Sequence, residues 1–327
     1  MSQNNPFNLP FIGLGCMNVS HAYGEPLADA EAITLIQRAV DMGYQHFDTA
    51  TLYGGGNNEK VVGAALKPSR ESVFLASKCG MENLNGKRQI NGRPDNLRRQ
   101  CEGSLRRLQT DHIDLYYLHR MDKDVPIEES VGALGDLVKE GKIGAVGLSE
   151  VSAPTLIRAH KEFTISALQS EYSLWTRNPE IAVLNACQQL DVMFVAFSPL
   201  GRGFLSNQLR ELNQLERSDM RHAMPRFSPE NFEQNLPLLN TLQSMSAELA
   251  CTPAQLALAW LSSKGEHIRV IPGSRSLPHM EENLAAKSIS LTSQQLDLLD
   301  NDINQNNIYG ARYNQEQQQD IDTEEFN

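Results

Sequence analysis

Eight short apolar runs recur along the chain, and segments with helical features separate them. Several of these runs are apolar without interruption, which is typical of parallel strands buried on both faces of a sheet. The runs occupy residues 11–16, 44–49, 73–78, 113–119, 143–149, 165–170, 192–198 and 268–273. The pattern therefore predicts repeated strand–helix units around a parallel sheet.

The segments between the runs carry signals for helix starts. Proline suits the first turn of a helix, where its missing N–H is not needed, and three prolines stand at such places: Pro94, Pro179 and Pro253. Asn178 and Thr252 precede two of these prolines and are predicted N-caps. Thr252 and Gln255 together fit a capping box.

Two architectures are built from such repeats, the (β/α)8 barrel and the doubly wound open sheet. The open sheet would be expected to show G-x-G-x-x-G after its first strand, but the first run offers only Gly13-Leu-Gly15-Cys-Met-Asn. The 327 residues suffice for one large barrel or two ordinary domains, and no Pro/Gly/Ser linker divides them. The sequence predicts an α/β fold, a (β/α)8 TIM barrel, as a single domain over residues 1–327.

Two polar stretches interrupt the regular pattern. Residues 200–236 form a long irregular segment, and long loops of this kind are often functional. A polar C-terminal tail covers about residues 304–327, rich in Gln, Asn and acidic side chains. We expect long loops at the C-terminal face of the barrel, and a tail that is either a pocket-edge loop or disordered.

The charge and the cysteines limit the classes of partner and compartment. With 29 basic and 40 acidic residues, the formal net charge of −11 argues against a broad nucleic-acid surface. A locally positive pocket for an anionic cofactor remains compatible with it. No run reaches the roughly 20 apolar residues of a membrane span, and the first residues carry no signal-peptide features. Five scattered cysteines without a CxxC pair favour reduced thiols in the cytoplasm over disulfides or a metal site.

Polar side chains end several of the runs, where barrel enzymes place their catalytic groups. Asp48, Lys78 and His119 end three runs that should be adjacent strands, and Tyr53 follows in a glycine-rich turn. Taken singly, each has a structural explanation, such as a loop cap, a snorkelling chain, a surface ion pair or loop packing. Their shared position at adjacent strand ends favours one site. A lysine ending a buried strand is also costly without a carboxylate partner.

A set of motifs spread over nearly the whole chain is highly specific. They include Phe47-Asp48-Thr49-Ala50, Leu52-Tyr53-Gly54, Ala76-Ser77-Lys78, Leu118-His119-Arg120, Gly147-Leu148-Ser149, Ser198-Pro199-Leu200-Gly201-Arg202-Gly203 and Ile271-Pro272-Gly273-Ser274. On these motifs the chain resembles the aldo-keto reductase superfamily. Within it, the chain most resembles the branch that includes perakine reductase and related bacterial and plant oxidoreductases. The resemblance implies an NADPH-dependent oxidoreductase that reduces small-molecule aldehydes or ketones to alcohols.

The resemblance places the catalytic tetrad on Asp48, Tyr53, Lys78 and His119. In the implied mechanism the reduced nicotinamide delivers hydride to a carbonyl carbon, and Tyr53 acts as the general acid. Lys78 is expected to lower the pKa of Tyr53, which is near 10 in free tyrosine, and Asp48 to keep Lys78 charged. His119 would orient the carbonyl oxygen and stabilise the charge that develops on it.

The implied cofactor contacts follow from the same motifs. Ser149 and Gln169 match the positions that hold the nicotinamide carboxamide, and Phe197 matches the aromatic that stacks on the ring. Ser274 and Arg275 match the adenosine 2′-phosphate site, where an arginine favours NADP over NAD. Further matches lie at the diphosphate and the adenine end: Ser198, Leu200, Gly201, Arg202, Glu282 and Asn283.

The chain departs from the family pattern at two places. Many members have Asn after the serine of the fifth strand, where this chain has Glu150. Glu150 could accept from the carboxamide, turn away from it, or cap the helix that begins near Ser152. Many members also carry a basic residue shortly after the 2′-phosphate serine, and its absence here leaves Arg275 as the main cation.

Two other functions are compatible with the residues. One is a cofactor-binding regulatory subunit of the same fold, as in the potassium-channel β subunits of this superfamily. The other is a barrel aldolase that uses Lys78 as a Schiff base. Substrate specificity is expected to come from the barrel-mouth loops around residues 16–25, 81–93 and 200–236 and from the tail.

Overall fold

A computed structural model describes residues 7–84 and 86–326. Its strands are β1 (Leu14–Gly15), β2 (His46–Asp48), β3 (Phe74–Cys79), β4 (Met81–Leu84), β5 (Lys87–Ile90), β6 (Leu115–Leu118), β7 (Val146–Ser149), β8 (Ile165–Glu171), β9 (Met193–Phe197) and β10 (Ile268–Ile271). All except β4 and β5 form one parallel sheet in chain order. Parallel bridges from Ile12 to Val270 and from Gly15 to Gly273 join its first and last strands. The predicted (β/α)8 barrel is confirmed.

Each predicted apolar run coincides with one barrel strand. The antiparallel hairpin of β4 and β5 was not predicted beyond a mouth loop over residues 81–93. It consists mostly of exposed polar residues, so no apolar alternation marks its strands. The hairpin has little buried apolar surface of its own, so its position depends on the barrel that it joins.

The helices that surround and cover the barrel are α1 (Asp29–Asp41), α2 (Asn57–Leu66), α3 (Pro94–Leu108), α4 (Ile127–Lys139), α5 (Ala153–Glu162), α6 (Val183–Gln189), α7 (Pro229–Asn235), α8 (Leu238–Glu248), α9 (Pro253–Ser262), α10 (Leu277–Ala285), α11 (Ser293–Asp302) and α12 (Gln315–Gln318). Thr252 and Gln255 form the predicted capping box at α9. The prediction that Asn178 caps a helix is wrong. Asn178 begins a short 3-10 turn, and its amide donates to the Glu324 carbonyl at 3.0 Å.

The barrel interior is filled by side chains. Leu115, Tyr117, Met193 and Val195 form part of an inner cluster, separate from the larger core between strands and helices. Gly147 makes room for Tyr117, since a Cβ at Gly147 would lie 2.3 Å from the tyrosine ring. Because the interior is packed, polar groups that can meet a ligand are confined to the ends of the strands.

The tail packs against the barrel mouth through buried side chains. Arg312, Tyr313 and Ile321 are buried, and Asp322 accepts hydrogen bonds from the backbone and side chain of Ser152 at 3.2 and 2.9 Å. Within its described residues the tail is therefore ordered at the pocket edge. Across residues 7–84 and 86–326, no helix has the length and apolar character needed to cross a membrane.

Candidate active site

The carboxyl ends of the barrel strands open into a cleft of about 650 Å³. Clefts of this size hold small molecules and cofactors. The sequence-predicted residues that line it are Asp48, Tyr53, His119, Ser149, Gln169, Phe197, Ser198, Leu200, Arg202, Ser274, Arg275, Glu282 and Asn283. Of the predicted site residues only Lys78 and Gly201 do not line it, so the fold brings the predicted positions together.

A buried ion pair lies at the centre of the site, between the ends of β2 and β3. Lys78 Nζ donates to Asp48 Oδ1, and both side chains are almost fully buried. The same Nζ donates to the Thr49 carbonyl at 3.0 Å and lies 3.4 Å from the Tyr53 hydroxyl. A buried ion pair needs such further hydrogen bonds to offset desolvation. The arrangement holds a positive charge beside the tyrosine oxygen.

The protonation of this group follows from its burial and charges. Burial raises the pKa of Tyr53, Lys78 lowers it, and Asp48 raises it, so that the pKa is above its usual value. Lys78 thus lowers the pKa of Tyr53 as expected, but burial outweighs its effect. Burial lowers the pKa of Lys78, but Asp48 and Tyr53 raise it more, to above its usual value. At neutral pH Tyr53 therefore keeps its proton and Lys78 its charge.

His119 completes the group from the end of β6. Its ring stands edge-on to Tyr53, with the ring centroids 5.8 Å apart. Burial lowers the pKa of His119 well below its usual range, and the neighbouring Arg120 charge adds to the effect. The buried Nδ1 has no hydrogen-bond partner among the described residues. A neutral imidazole with one N–H can donate a hydrogen bond to a carbonyl oxygen without adding a full charge.

Gln169 and Ser149 lie next to the ion pair at the ends of β8 and β7. Gln169 Nε2 donates to Asp48 Oδ2 at 2.8 Å, and Ser149 Oγ accepts from Arg120 Nη1 at 3.2 Å. Both side chains are buried and line the cleft. The amide that is expected to hold the carboxamide is therefore fixed by the same carboxylate that holds the lysine.

The segment after β9 takes an unusual backbone course. Ser198, Gly201, Arg202 and Gly203 have positive φ angles of 48°, 55°, 57° and 92°. Such angles favour glycine, and Ser198, Arg202 and Gly203 line the cleft. Arg202 Nη2 is 2.6 Å from Glu171 Oε2, and both side chains are buried. The charge of Arg202 is thus neutralised within the protein, and the segment offers backbone and small side chains to a ligand.

Ser274 and Arg275 lie between β10 and α10, at the far end of the cleft. Ser274 Oγ donates to the Ser276 carbonyl and accepts from its N–H, both at 3.0 Å. Arg275 Nη1 donates to the Glu25 carbonyl at 2.7 Å, while Nη2 lies 3.9 Å from Glu216. A helix N-terminus and an arginine together suit an anionic group at this end.

Glu150 turns away from the cleft and is fully buried. Its carboxylate accepts from Arg312 Nη1 at 2.7 and 3.0 Å and from the Glu171 N–H at 2.9 Å. Helix α5 is capped by Ser152, so Glu150 is not its cap. Its φ of 55° explains why Asn is suited to this position, since Asn adopts the left-handed region more readily than Glu. The pairing with Arg312 could not be predicted from motifs near Glu150.

Further residues line the cleft that the sequence did not predict, among them Arg88, Arg120, Tyr313 and Asp320. Arg88 and Asp320 form an ion pair between β5 and the tail. Arg120 could have been predicted as a lining residue, because it directly follows His119. Tyr313 could not, because it stands in a polar segment without a recognisable motif.

Residues 11–303 match the model of the Aldo/keto reductase family. The chain belongs to this family. It is 39% identical over 309 residues to "Probable aldo-keto reductase 1" of Glycine max, covering 94% of this chain and 89% of that protein. This aldo/keto reductase also resembles solved structures. The glycerol dehydrogenase of Gluconobacter oxydans has a TM-score of 0.84 at 25% identity, covering 92% and 95% of the two chains. An aldo/keto reductase from Klebsiella pneumoniae, solved in complex with NADP and acetate, has a TM-score of 0.70 at 29% identity, covering 94% of each.

Proposed function

We propose that this aldo/keto reductase reduces aldehydes or ketones to alcohols with NADPH, and that Tyr53 is the proton donor. The observation that carries the proposal is the grouping of Asp48, Tyr53, Lys78 and His119 at one point of the cleft, with the tyrosine hydroxyl 3.4 Å from Lys78 Nζ. Catalytic groups held by packed neighbours are what general acid catalysis needs. Family membership supports an oxidoreductase, and the geometry of the site supports Tyr53 as its acid.

Each of the four grouped residues has its own role in the proposed reduction. When bound, the reduced nicotinamide supplies the hydride that forms the new C–H bond at the carbonyl carbon. As the C=O π bond breaks, Tyr53 transfers its hydroxyl proton to the oxygen, and solvent later returns a proton to Tyr53. Lys78 stabilises the tyrosinate that remains, and Asp48 holds Lys78 in place. His119 donates a hydrogen bond to the same oxygen.

The lining of the cleft is compatible with NADP as the cofactor. Asn18 lines it, and the buried Oδ1 of Asn18 has no hydrogen-bond partner in the described chain. A Cβ at Gly273 would lie 3.1 Å from that oxygen, so glycine keeps the backbone open there. Two structures of Klebsiella pneumoniae relatives contain NADP or NADPH, which supports this choice of cofactor.

The roles of the cofactor residues are part of the same proposal. Ser149 and Gln169 would hold the carboxamide, and Phe197 would stack on the ring. Ser274 and Arg275 would bind the 2′-phosphate. The remaining contacts would lie at the diphosphate and the adenine: Ser198, Leu200, Gly201, Arg202, Glu282 and Asn283. The described geometry is compatible with each, because all except Gly201 line the cleft.

Three broader assignments belong to the proposal as well. We place the chain in the perakine reductase-like branch, as a single catalytic domain. All five cysteines are free thiols and four are buried, which supports a reducing compartment such as the cytoplasm. A Schiff-base aldolase is disfavoured, because Lys78 is held as an ammonium by Asp48 and does not line the cleft.

The test is NADPH oxidation with benzaldehyde, followed by absorbance. Tyr53→Phe should lower kcat by about 10²–10⁴-fold, since it removes the acid but keeps the ring. Its dissociation constant for NADPH, titrated by fluorescence, should stay close to wild type. Tyr309→Phe is the matched control, because Tyr309 is exposed and lies outside the cleft.

Two results would contradict the proposal. A Tyr53→Phe rate above about a tenth of the wild-type rate, with chemistry limiting, would remove Tyr53 from its role. Wild-type protein that binds NADPH but turns over no aldehyde or ketone in a broad screen would instead support a cofactor-binding regulatory subunit.

A further inference from the structure

Arg120 is a partly buried cation at the reacting end of the cleft. It follows His119 directly after β6, and its Nη1 donates to the His119 carbonyl at 2.6 Å and to Ser149 Oγ at 3.2 Å. Those two bonds use both hydrogens of Nη1. Among residues 7–84 and 86–326, Nε and Nη2 have no hydrogen-bond partner, and no carboxylate forms an ion pair with the guanidinium.

The other arginines that line the cleft differ in this respect. Arg88 is paired with Asp320, Arg202 with Glu171 and Arg221 with Asp219. Arg275 lies 3.9 Å from Glu216 and at the opposite end, beyond β10. Arg120 therefore brings an uncompensated positive charge into the cleft of a protein whose net charge is −11. A partly buried cation without a counter-ion is costly, and an anionic ligand would remove that cost.

Arg120 lies at the end of the cleft proposed for the substrate carbonyl, and not at the end proposed for the phosphates of the cofactor. Arg120 is the strongest of the charged groups that lower the pKa of His119, and it also lowers the pKa of Tyr53. It is bonded to the His119 carbonyl and lines the same cleft as His119 and Tyr53, the two side chains that contact the carbonyl oxygen in the proposed function. The positions proposed for the phosphates follow β9 and β10 instead.

We propose that Arg120 binds a carboxylate of the substrate, so that the preferred substrates are aldehydes or ketones that also carry a carboxylate. The free edge formed by Nε and Nη2 matches a carboxylate in a bidentate manner. This inference rests on the proposed carbonyl reduction and adds the substrate class to it. The bonds made and broken at the carbonyl are unchanged, and the carboxylate takes no part in them.

The experiment compares matched substrates that differ in one charge. Meta- and para-carboxybenzaldehyde are measured against their neutral methyl esters, with NADPH as the reductant. Wild-type enzyme should favour at least one acid over its ester by about tenfold to a hundredfold in kcat/KM, the worth of a charged hydrogen bond. Arg120→Gln should abolish that preference, and Arg120→Lys should restore part of it. The ratio of acid to ester cancels any general disturbance of His119 or Ser149.

Arg88→Gln is the matched control, because it removes a cleft arginine whose charge Asp320 already neutralises. Its acid-to-ester ratio should stay near that of wild type. Loss of the preference in Arg88→Gln but not in Arg120→Gln would overturn the assignment to Arg120. Equal kcat/KM for both acids and their esters in wild type would overturn the substrate class while leaving carbonyl reduction intact. Failure to reduce any of these substrates would count against carbonyl reduction itself, and this inference would fall with it.

A binding measurement gives a readout that does not depend on turnover. Benzoate and benzamide are titrated by calorimetry into enzyme saturated with NADP. Benzoate should bind more tightly than benzamide, and Arg120→Gln should weaken benzoate by about tenfold or more without a matching loss for benzamide. Similar affinities for the two compounds in wild type would contradict the proposed carboxylate site.

Discussion

Glu150→Gln tests the link between the tail and the barrel. The substitution keeps the shape of the side chain and one oxygen that can accept the Glu171 N–H, but it removes the negative charge beside Arg312. The Glu150 side chain is 0% exposed and that of Arg312 is 4% exposed. The variant therefore leaves a buried guanidinium without its nearest counter-ion.

The expected magnitude follows from that burial. Removing one partner of a buried ion pair costs about 3–5 kcal/mol, since the other charge stays desolvated. The carboxylate of Glu171 also stabilises the charge of Arg312 and raises its pKa. Part of the electrostatic stabilisation of Arg312 therefore remains in the variant. We therefore expect a loss near the lower end, about 3 kcal/mol of the free energy of unfolding.

Urea unfolding followed by tryptophan fluorescence measures this loss, because Trp175 and Trp260 are both buried. Arg312→Gln should be similarly destabilised, and the double variant should lose less than the sum of the two single losses. Glu128→Gln is the control, since its partner Arg158 is exposed and exposed pairs contribute little. Dissociation constants for NADPH and NADH should change by the same factor in Glu150→Gln or not at all, because Glu150 does not line the cleft.

A loss below about 1 kcal/mol in Glu150→Gln, together with additive effects in the double variant, would refute the reasoning. In that case the Glu150–Arg312 pair would contribute nothing that a neutral amide cannot replace. A selective loss of NADPH over NADH would refute a different point, because the carboxylate would then act at the 2′-phosphate end of the cleft.

Two further predictions concern other parts of the barrel. Arg275→Ala should weaken NADPH about tenfold to a hundredfold and leave NADH nearly unchanged, since only NADPH carries the 2′-phosphate; equal losses in a binding titration would show that Arg275 does not bind that group. Burial lowers the pKa of His46 to about 4, and both of its ring nitrogens are buried without partners in the described chain. The unfolded chain binds a proton at this histidine below about pH 6.5 while the folded chain does not, so stability falls as the pH drops towards 4, by up to about 3 kcal/mol. His46→Phe should flatten that acid dependence in urea titrations, and an unchanged slope would show that His46 does not cause it.

The strands were predictable because their signal is local. A parallel strand inside a barrel is covered on both faces, so its apolar residues follow one another along the chain, as in Met193–Phe197. The capping box of Thr252 and Gln255 is likewise contained in four residues. The hairpin of β4 and β5 was missed because it has little apolar surface to mark it. Asn178 was assigned wrongly because the tail, far along the chain, uses its amide.

The candidate site was predictable to the extent that chain order equals barrel order. Asp48, Lys78 and His119 end three consecutive barrel strands, so their convergence follows from topology alone. The pKa of Tyr53 did not follow, since its direction depends on burial as well as on Lys78. The ion pairs of Arg202 with Glu171 and of Glu150 with Arg312 did not follow from the motifs, because each partner comes from another part of the fold.

The sequence by itself determined the barrel, the family and the set of residues at the strand ends, because each of these depends on short motifs and on their order. Only the tertiary structure decided which charges are neutralised and which remain free. Glu150 and Arg312 are 162 residues apart in the chain, and Arg88 and Asp320 are 232 apart, yet both pairs are in contact. Arg120 and Arg202 both belong to short sequence motifs. Among the described residues Arg120 has no carboxylate partner, whereas Arg202 is paired with Glu171. The Coulomb energy of two charges depends on the distance between them and on their burial, and residues that are close in the chain determine neither.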